Sequence, residues 1–463
     1  MTANLLRMNP DHYDLCVIGG GAAGLVTAGG AAQLGARTLL IEQHRMGGEC
    51  LWNGCVPSKA LLHMANLAKL RGGMTWAEAK AHVDGAIATI APHDSPERFR
   101  DFGVEVLLAR ASFTGRDSLE ADGRRITARR FVIATGSSPM VPPVPGLDTV
   151  PFLTNESIFD LTELPAELLI MGGGAIGTEL AQAFARLGSK VTIVERDRML
   201  ASSDAEAAAL VRASLEADGV TIHEDCEVAR VEPGIILHLE SGATLTGTHL
   251  LVAAGRAARI DGYGLDLAGV AADRKGIAVD KYLRTSNPKI FAIGDCRDGP
   301  RFTHASDQDA RAVIANALFP RPLWRTSTYE ALPSVVYTDP ELAHVGLTEA
   351  QARAKHPDVQ VHRADLDHND RAVTEGVTTG FVKLIARGNK LLGATLVGPH
   401  AGELLPLARL AVTGKIGVSD IAAQTIAYPT LADALRSAAD AAGQAKLFTP
   451  TVRRITRLLQ RLA

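Results

Sequence analysis

Short, unbroken apolar runs that end in glycine or an acid set the rhythm of this chain. Tyr13 to Ile18 is the first, and it leads directly into Gly19-Gly20-Gly21-Ala22-Ala23-Gly24. A small-residue stretch to Leu34-Gly35 then reads as a helix, and Arg37 to Ile41 as a second strand closed by Glu42. About 150 residues further on the pattern returns. Leu168 to Met171 precedes Gly172-Gly173-Gly174-Ala175-Ile176-Gly177, a helix follows through Leu187, and the strand Lys190 to Val194 ends in Glu195. Strands alternating with helices predict an α/β fold with two units of the same kind.

The remaining chain is punctuated in the same way. Met64 to Phe113 carries helical patterning and then short strands. Phe131 to Ala134 reads as a strand ending at Thr135-Gly136, and Pro142, Pro143 and Pro145 mark a linker. Leu250 to Ala254 is a strand ending at Gly255-Arg256. From about Leu332 strands alternate with helices, and Thr449 to Ala463 forms a final amphipathic helix. In that helix Ile455, Leu458, Leu459 and Leu462 share one face, and Arg453, Arg454, Arg457 and Arg461 line the rest. Two readings stay open for it: docking on a dimer, or contact with an anionic membrane surface.

Each repeated unit has the context of a dinucleotide fingerprint. Gly19 and Gly172 allow a tight turn, Gly21 and Gly174 let a pyrophosphate approach the backbone, and Gly24 and Gly177 let helix and strand pack closely. Glu42 and Glu195 lie where an acid accepts the adenosine ribose hydroxyls. Two such units in one chain imply two nucleotides that exchange electrons. An acid at Glu195 repels a 2′-phosphate and favours NADH, while Arg196 and Arg198 offer NADPH an alternative should Glu195 turn aside.

Length and composition narrow the class. A chain of 463 residues has room for two to four domains, and 46% hydrophobic with 21% charged residues is ordinary for a globular protein. A net charge of −3 argues against a nucleic-acid partner. The N-terminus shows no signal peptide or membrane-spanning run, and the expected location is cytoplasmic. Five scattered cysteines are too few for a secreted disulfide scaffold and fit redox use in a reducing compartment. Cys16, Cys226 and Cys296 read as structural thiols.

Cys50 and Cys55 stand apart, within Gly47-Gly48-Glu49-Cys50-Leu51-Trp52-Asn53-Gly54-Cys55-Val56-Pro57-Ser58-Lys59. In an ideal helix their Cα atoms would lie about 8–9 Å apart, whereas a disulfide needs roughly 4.4–6.8 Å. The segment must bend if they pair, most easily at Asn53-Gly54. A helix starting near Val56 would aim its N-terminus at the pair and favour thiolate. Spacing alone leaves two unrelated buried cysteines as an equal reading.

The whole pattern Gly-Gly-x-Cys-x4-Cys-x-Pro-Ser-Lys resembles the redox segment of the class I pyridine nucleotide–disulfide oxidoreductases, which include dihydrolipoamide dehydrogenase, glutathione reductase and mercuric reductase. The resemblance implies two Rossmann-like domains and a C-terminal α+β dimerisation domain. The parts are an FAD-binding domain in two pieces (1–147 and 273–330), an NAD(P)-binding domain (148–272), the dimerisation domain (331–448) and a basic tail (449–463). It implies FAD on the first unit, a nicotinamide nucleotide on the second and a homodimer whose site is completed by the partner. It also implies a redox-active disulfide, with Cys55 nearest the flavin and Cys50 facing outward to the acceptor. Lys59 would pair with Glu179 beside the flavin. Thr135 and Gly136 would close the first flavin segment, Gly255 the nicotinamide unit, and Asp295, after Thr285 to Gly294, would bond the ribityl chain. His304 reads as structural, and no metal site is implied.

One departure from the family stands out. Where disulfide reductases carry His-Pro-Thr and a glutamate, this chain has Tyr428-Pro429-Thr430 and Asp433. A phenol with a pKa of about 10 is a poor base at neutral pH. A tyrosine there resembles mercuric reductases, yet this chain has no C-terminal cysteine pair. The expectation is an NAD(P)H oxidoreductase that passes electrons through FAD and the Cys50–Cys55 pair to a disulfide or thiol-reactive acceptor, neither lipoamide nor free mercuric ion. A soft-metal reductase is the alternative. A slow-turnover, redox-responsive flavin-binding protein is the alternative of another class.

Overall fold

The apolar runs become fully buried strands, and each glycine-rich run becomes the turn that feeds a helix. A computed structural model describes residues 11–447 and 449–461; Leu462, part of the amphipathic tail pattern, lies outside them. In the first unit the parallel strands run in the order Val104–Leu108, Thr38–Glu42, His12–Ile18, Arg124–Ile133 and Ile290–Ala292. A hairpin of Ala111–Gly115 and Ser118–Ala121 continues the sheet antiparallel along the start of Arg124–Ile133. Helices Ala22–Gln33 and Thr303–Leu318 pack on this sheet and on each other. The chain thus leaves the first unit after Ile133 and returns to its sheet 157 residues later, at Ile290.

The excursion forms the second unit. Its four parallel strands run Thr221–His223, Lys190–Val194, Glu167–Met171 and His249–Val252. Helix Ala175–Leu187 packs its buried face on them. The two segments that connect the units lie side by side, Ser137–Pro139 antiparallel to Arg256–Ala258. The proline-rich stretch at 142–145 follows at once.

The C-terminal unit is a five-stranded antiparallel sheet, ordered Ser334–Val336, Glu341–Gly346, Lys390–Gly398, Phe381–Arg387 and Gln360–Asp365. Helices Ala401–Val412 and Asp433–Leu447 cover one face with a separate apolar core. Strand Ser334–Val336 brings Tyr337 and Asp339 against the helix Ala175–Leu187, so this unit is anchored beside the redox segment. Among the described residues no helix is long and apolar enough to cross a membrane.

Candidate active site

The cysteine segment folds as two helices with a sharp turn between them. The short helix Gly48–Trp52 stops at Asn53, Gly54 adopts φ −130° and ψ −115°, and Cys55 begins the helix Cys55–Arg71. A Cβ on Gly54 would sit 3.0 Å from the Glu49 carbonyl oxygen, so the turn is close-packed. It brings the two thiols, both free, into hydrogen-bonding contact. The Thr303 hydroxyl lies 3.7 Å from Cys55 Sγ and bonds both sulfurs.

The charge on this pair is uneven. The Cys50 hydrogen bond, the Lys59 ammonium and the Thr303 hydroxyl outweigh burial and bring Cys55 down to about 6. Cys55 also occupies the first turn of a 17-residue helix, whose N-terminal dipole favours an anion. Cys50, which donates to Cys55 and is partly buried, is held well above the ordinary thiol range. The thiolate therefore belongs to Cys55 and the proton to Cys50. In the single chain Cys50 is partly buried and Cys55 exposed. The reason is local: Cys50 lies within the short helix and Cys55 at the open start of the next.

Lys59 lies four residues along the same helix and meets Glu179 Oε2 at 2.7 Å. Glu179 is not a helix-start carboxylate; it sits in the second turn of Ala175–Leu187 and is 4% exposed. Its other oxygen accepts the Tyr337 backbone N–H at 3.0 Å, and the Tyr337 ring lies 4.4 Å from Lys59 Nζ. Three units of the chain thus meet at one ion pair. Neither Tyr337 nor Thr303 was legible as a site residue, although Thr303 adjoins His304. His304 bonds the Pro333 carbonyl, and burial lowers its pKa.

A second ion pair braces the segment from the other side. The Arg256 guanidinium grips both oxygens of Glu49, the neighbour of Cys50. Asn155 donates to Glu49 at 2.8 Å and to the Asn53 carbonyl at 3.2 Å. Arg256 Nε also donates to Ser137 Oγ, which donates to Asp295 Oδ2, each at 2.8 Å. The flavin-motif acid, the inter-unit strand and the residue before Cys50 are therefore one hydrogen-bonded chain. Burial raises the Glu49 pKa against the pull of Arg256.

The two fingerprints superpose in detail. Glu42 accepts the Gly20 N–H at 2.6 Å, and Glu195 accepts the Gly173 N–H at 2.6 Å. Each second oxygen accepts an N–H two residues on, from His44 at 2.8 Å and from Asp197 at 2.9 Å. An ionised carboxylate has about four lone-pair sites, so each keeps acceptor capacity for ribose hydroxyls. Gly24 and Gly177 are close contacts, since a Cβ on either would clash with the carbonyl oxygen of Gly19 or Gly172. A Cβ on Gly174 would meet nothing within 4 Å, and one on Gly21 only Gly48 at 3.7 Å, so both leave room for a pyrophosphate. A cleft lined by Ile18, Gly19, Ile41, Glu42, Ala111 and Tyr263 opens beside the first fingerprint. Thr135 donates to the Arg259 carbonyl at 2.6 Å, and Gly136 and Gly255 turn with φ +73° and +128° at the two crossings. These residues fit the two nucleotides that the fingerprints imply.

The C-terminal residues Tyr428 and Asp433 each have a partner within the chain. Tyr428 is 76% exposed, and its hydroxyl donates to Asp370 Oδ2 at 2.8 Å. Asp433, in the glutamate place, binds Arg436, its own helix neighbour, at 2.7 Å. Asp433 opens the helix Asp433–Leu447, where an i,i+3 arginine is the nearest cation. Asp370 opens the short helix Asp370–Glu375, and nothing in its local sequence tied it to Tyr428. The Asp370 carboxylate raises the Tyr428 pKa further.

Comparisons with known proteins agree with this geometry. Residues 13–310 match the pyridine nucleotide-disulphide oxidoreductase family and residues 332–439 its dimerisation domain. The chain belongs to this family of flavoprotein oxidoreductases, which use FAD and a pyridine nucleotide, and its dimerisation domain supports a homodimer. A mercuric reductase from Streptomyces lividans is 36% identical, over 92% of this chain and 95% of its own. A dihydrolipoyl dehydrogenase from Thermus scotoductus is also 36% identical, over 93% and 97%. Among solved structures, the HOCl-induced flavoprotein disulfide reductase RclA from Escherichia coli superposes with a TM-score of 0.85 at 30% identity, over 93% of this chain and 99% of that one. Its Cu(II) complex gives 0.86 over 94% and 99%. The chain is a flavin-dependent NAD(P)H reductase of the disulfide- and metal-reducing kind.

Proposed function

We propose that the protein is an NADH-dependent reductase whose acceptor is a soft, thiol-bound metal ion such as a mercuric thiol complex. When bound, FAD accepts a hydride from the nicotinamide and supplies an electron pair to the Cys50–Cys55 centre. The protein's own residues do the rest. Lys59, neutralised on one side by Glu179, keeps a positive charge beside the Cys55 thiolate. Thr303 donates to the sulfurs, and Arg256 holds Glu49 so that the short helix presents Cys50 in one orientation. The Cys50–Cys55 dithiol then offers two soft sulfur ligands to the ion.

The observation that carries the acceptor class is the Tyr428–Asp370 hydrogen bond. In the dimer the Tyr428 segment takes the place of the family's acid–base histidine. Reducing a disulfide releases thiolates that must be protonated. The Tyr428 proton is committed to Asp370 and its pKa is raised, so the phenol supplies no such proton at neutral pH. A mercuric thiol complex also gives up two thiolates, but it passes its ion to the Cys50 and Cys55 sulfurs by ligand exchange at a labile metal, which needs no positioned acid. The bound ion then takes the sulfurs' electron pair, leaving the metal atom and the Cys50–Cys55 disulfide. The mercuric reductases among its relatives support the same reading.

NADH is favoured over NADPH because both oxygens of Glu195 are already engaged by backbone N–H groups. The carboxylate stays at the ribose edge, and Arg196 points into pairs with Asp197 and Glu227. Steady-state assays of the flavin-loaded dimer test both points. The expected result is faster turnover with a mercuric thiol complex than with lipoamide, and a higher kcat/KM for NADH than for NADPH. Faster turnover with lipoamide would overturn the acceptor assignment.

A further inference from the structure

The last helix is built to lie on something. Thr449 caps it by accepting the Val452 N–H at 3.2 Å, Pro450 opens it, and it runs to Leu459. Ten residues is short for an isolated helix in water, and Thr451, Val452, Ile455 and Thr456 are β-branched and weak helix formers. Such a segment needs a surface to bury its apolar face. Among the described residues none buries it: no side chain of the helix is fully buried, and Ile455, Leu458 and Leu459 are 51%, 59% and 58% exposed.

The charge on the opposite flank identifies the surface. At about 100° per residue, Val452, Ile455, Leu458 and Leu459 occupy one arc of roughly 120°. Arg453, Arg454 and Arg457 occupy the facing arc, with Arg461 just past the helix end. All four arginines are exposed, and among the described residues none has an ion-pair partner. Residues 449–461 contain no carboxylate, although the whole chain is net negative at −3. A helix docked on a protein usually turns a face of mixed charge to water. A helix with one apolar face and an unmixed cationic flank fits a surface that is apolar inside and anionic at its edge.

We propose that this helix is a peripheral anchor that lays Ile455, Leu458 and Leu459 into the headgroup–acyl boundary of an anionic lipid surface, with the arginines on the lipid phosphates. The anchor lies outside the redox centre and fingerprints, so it sets where the reductase works and leaves its chemistry unchanged.

Co-sedimentation of the flavin-loaded full-length dimer with vesicles tests this. Vesicles of mixed phosphatidylglycerol and phosphatidylcholine should carry the protein down, and vesicles of phosphatidylcholine alone should not. Binding should weaken as salt rises, and each Arg→Gln change at 453, 454 or 457 should lower partitioning about fivefold. The Ile455→Ser/Leu458→Ser variant should stay in the supernatant while its dimer mass, melting temperature and acceptor turnover match the parent's. Two results overturn the proposal. One is no sedimentation with the anionic vesicles at low salt. The other is a Ile455→Ser/Leu458→Ser variant that falls to monomer or melts lower, which would make the apolar face a subunit seam.

Discussion

The Tyr428 hydroxyl donates to Asp370 Oδ2 at 2.8 Å, and this bond joins a loop of the dimerisation domain to the start of a short helix 58 residues away. It fixes the phenol as a proton holder. Replacing Tyr428 by His should place a titratable base against Asp370, the arrangement that disulfide chemistry needs. Lipoamide turnover should then rise by about two orders of magnitude, the usual contribution of a positioned general acid–base. Tyr428→Phe should not raise it. Steady-state rates with lipoamide check both.

Cys55 should titrate as a thiolate near pH 6. Its pKa is depressed, so the anion is full well above that value and is lost as the pH falls through about 6. In the reduced protein, alkylation at Cys55 should be level above neutrality and fall about tenfold for each further pH unit below 6. The Cys50→Ala variant loses the largest contribution to the depression, so its midpoint should shift upward. Mass-resolved alkylation rates across pH give the midpoint.

Lys59→Met should leave the Glu179 carboxyl group, 5% exposed, without its cation. Because the Lys59 side chain is itself 34% exposed, the loss should lie between surface and buried ion pairs, at about 2 kcal/mol of stability. Denaturant unfolding measures it. The Lys59→Met/Glu179→Gln double variant should recover part of the loss, because the backbone N–H of Tyr337 still has an acceptor.

Two alanine substitutions in one fingerprint should behave in opposite ways. Gly177→Ala drives a methyl into the Gly172 carbonyl oxygen and should destabilise the second unit by about 3 kcal/mol. Gly174→Ala meets nothing within 4 Å and should keep the parent's melting temperature. Its methyl would occupy the pyrophosphate's approach, so the KM for NADH should rise instead. Thermal melts and NADH titrations separate the two outcomes.

Much of this was legible because it rests on local constraint. A glycine forced by a neighbouring carbonyl, as at Gly24 and Gly177, appears in sequence as fixed spacing. The same holds for the bend at Asn53-Gly54, which the turn between two helices requires. The pairs that escaped are long-range. Glu49 meets Arg256 across 207 residues, and Tyr428 meets Asp370 across 58. Side-chain reach between separate units leaves no periodic trace, so nothing along the chain announces it.

The central claim is that electrons reach the acceptor through the cysteine pair, and the Cys50→Ser dimer tests it most directly. The flavin-loaded variant and its parent are reduced anaerobically with NADH and then mixed with a mercuric thiol complex. The account predicts that NADH still bleaches the flavin in both, while only the parent consumes further NADH when the complex is added. Undiminished mercuric-dependent turnover in Cys50→Ser would contradict it and place the electron exit on the flavin itself.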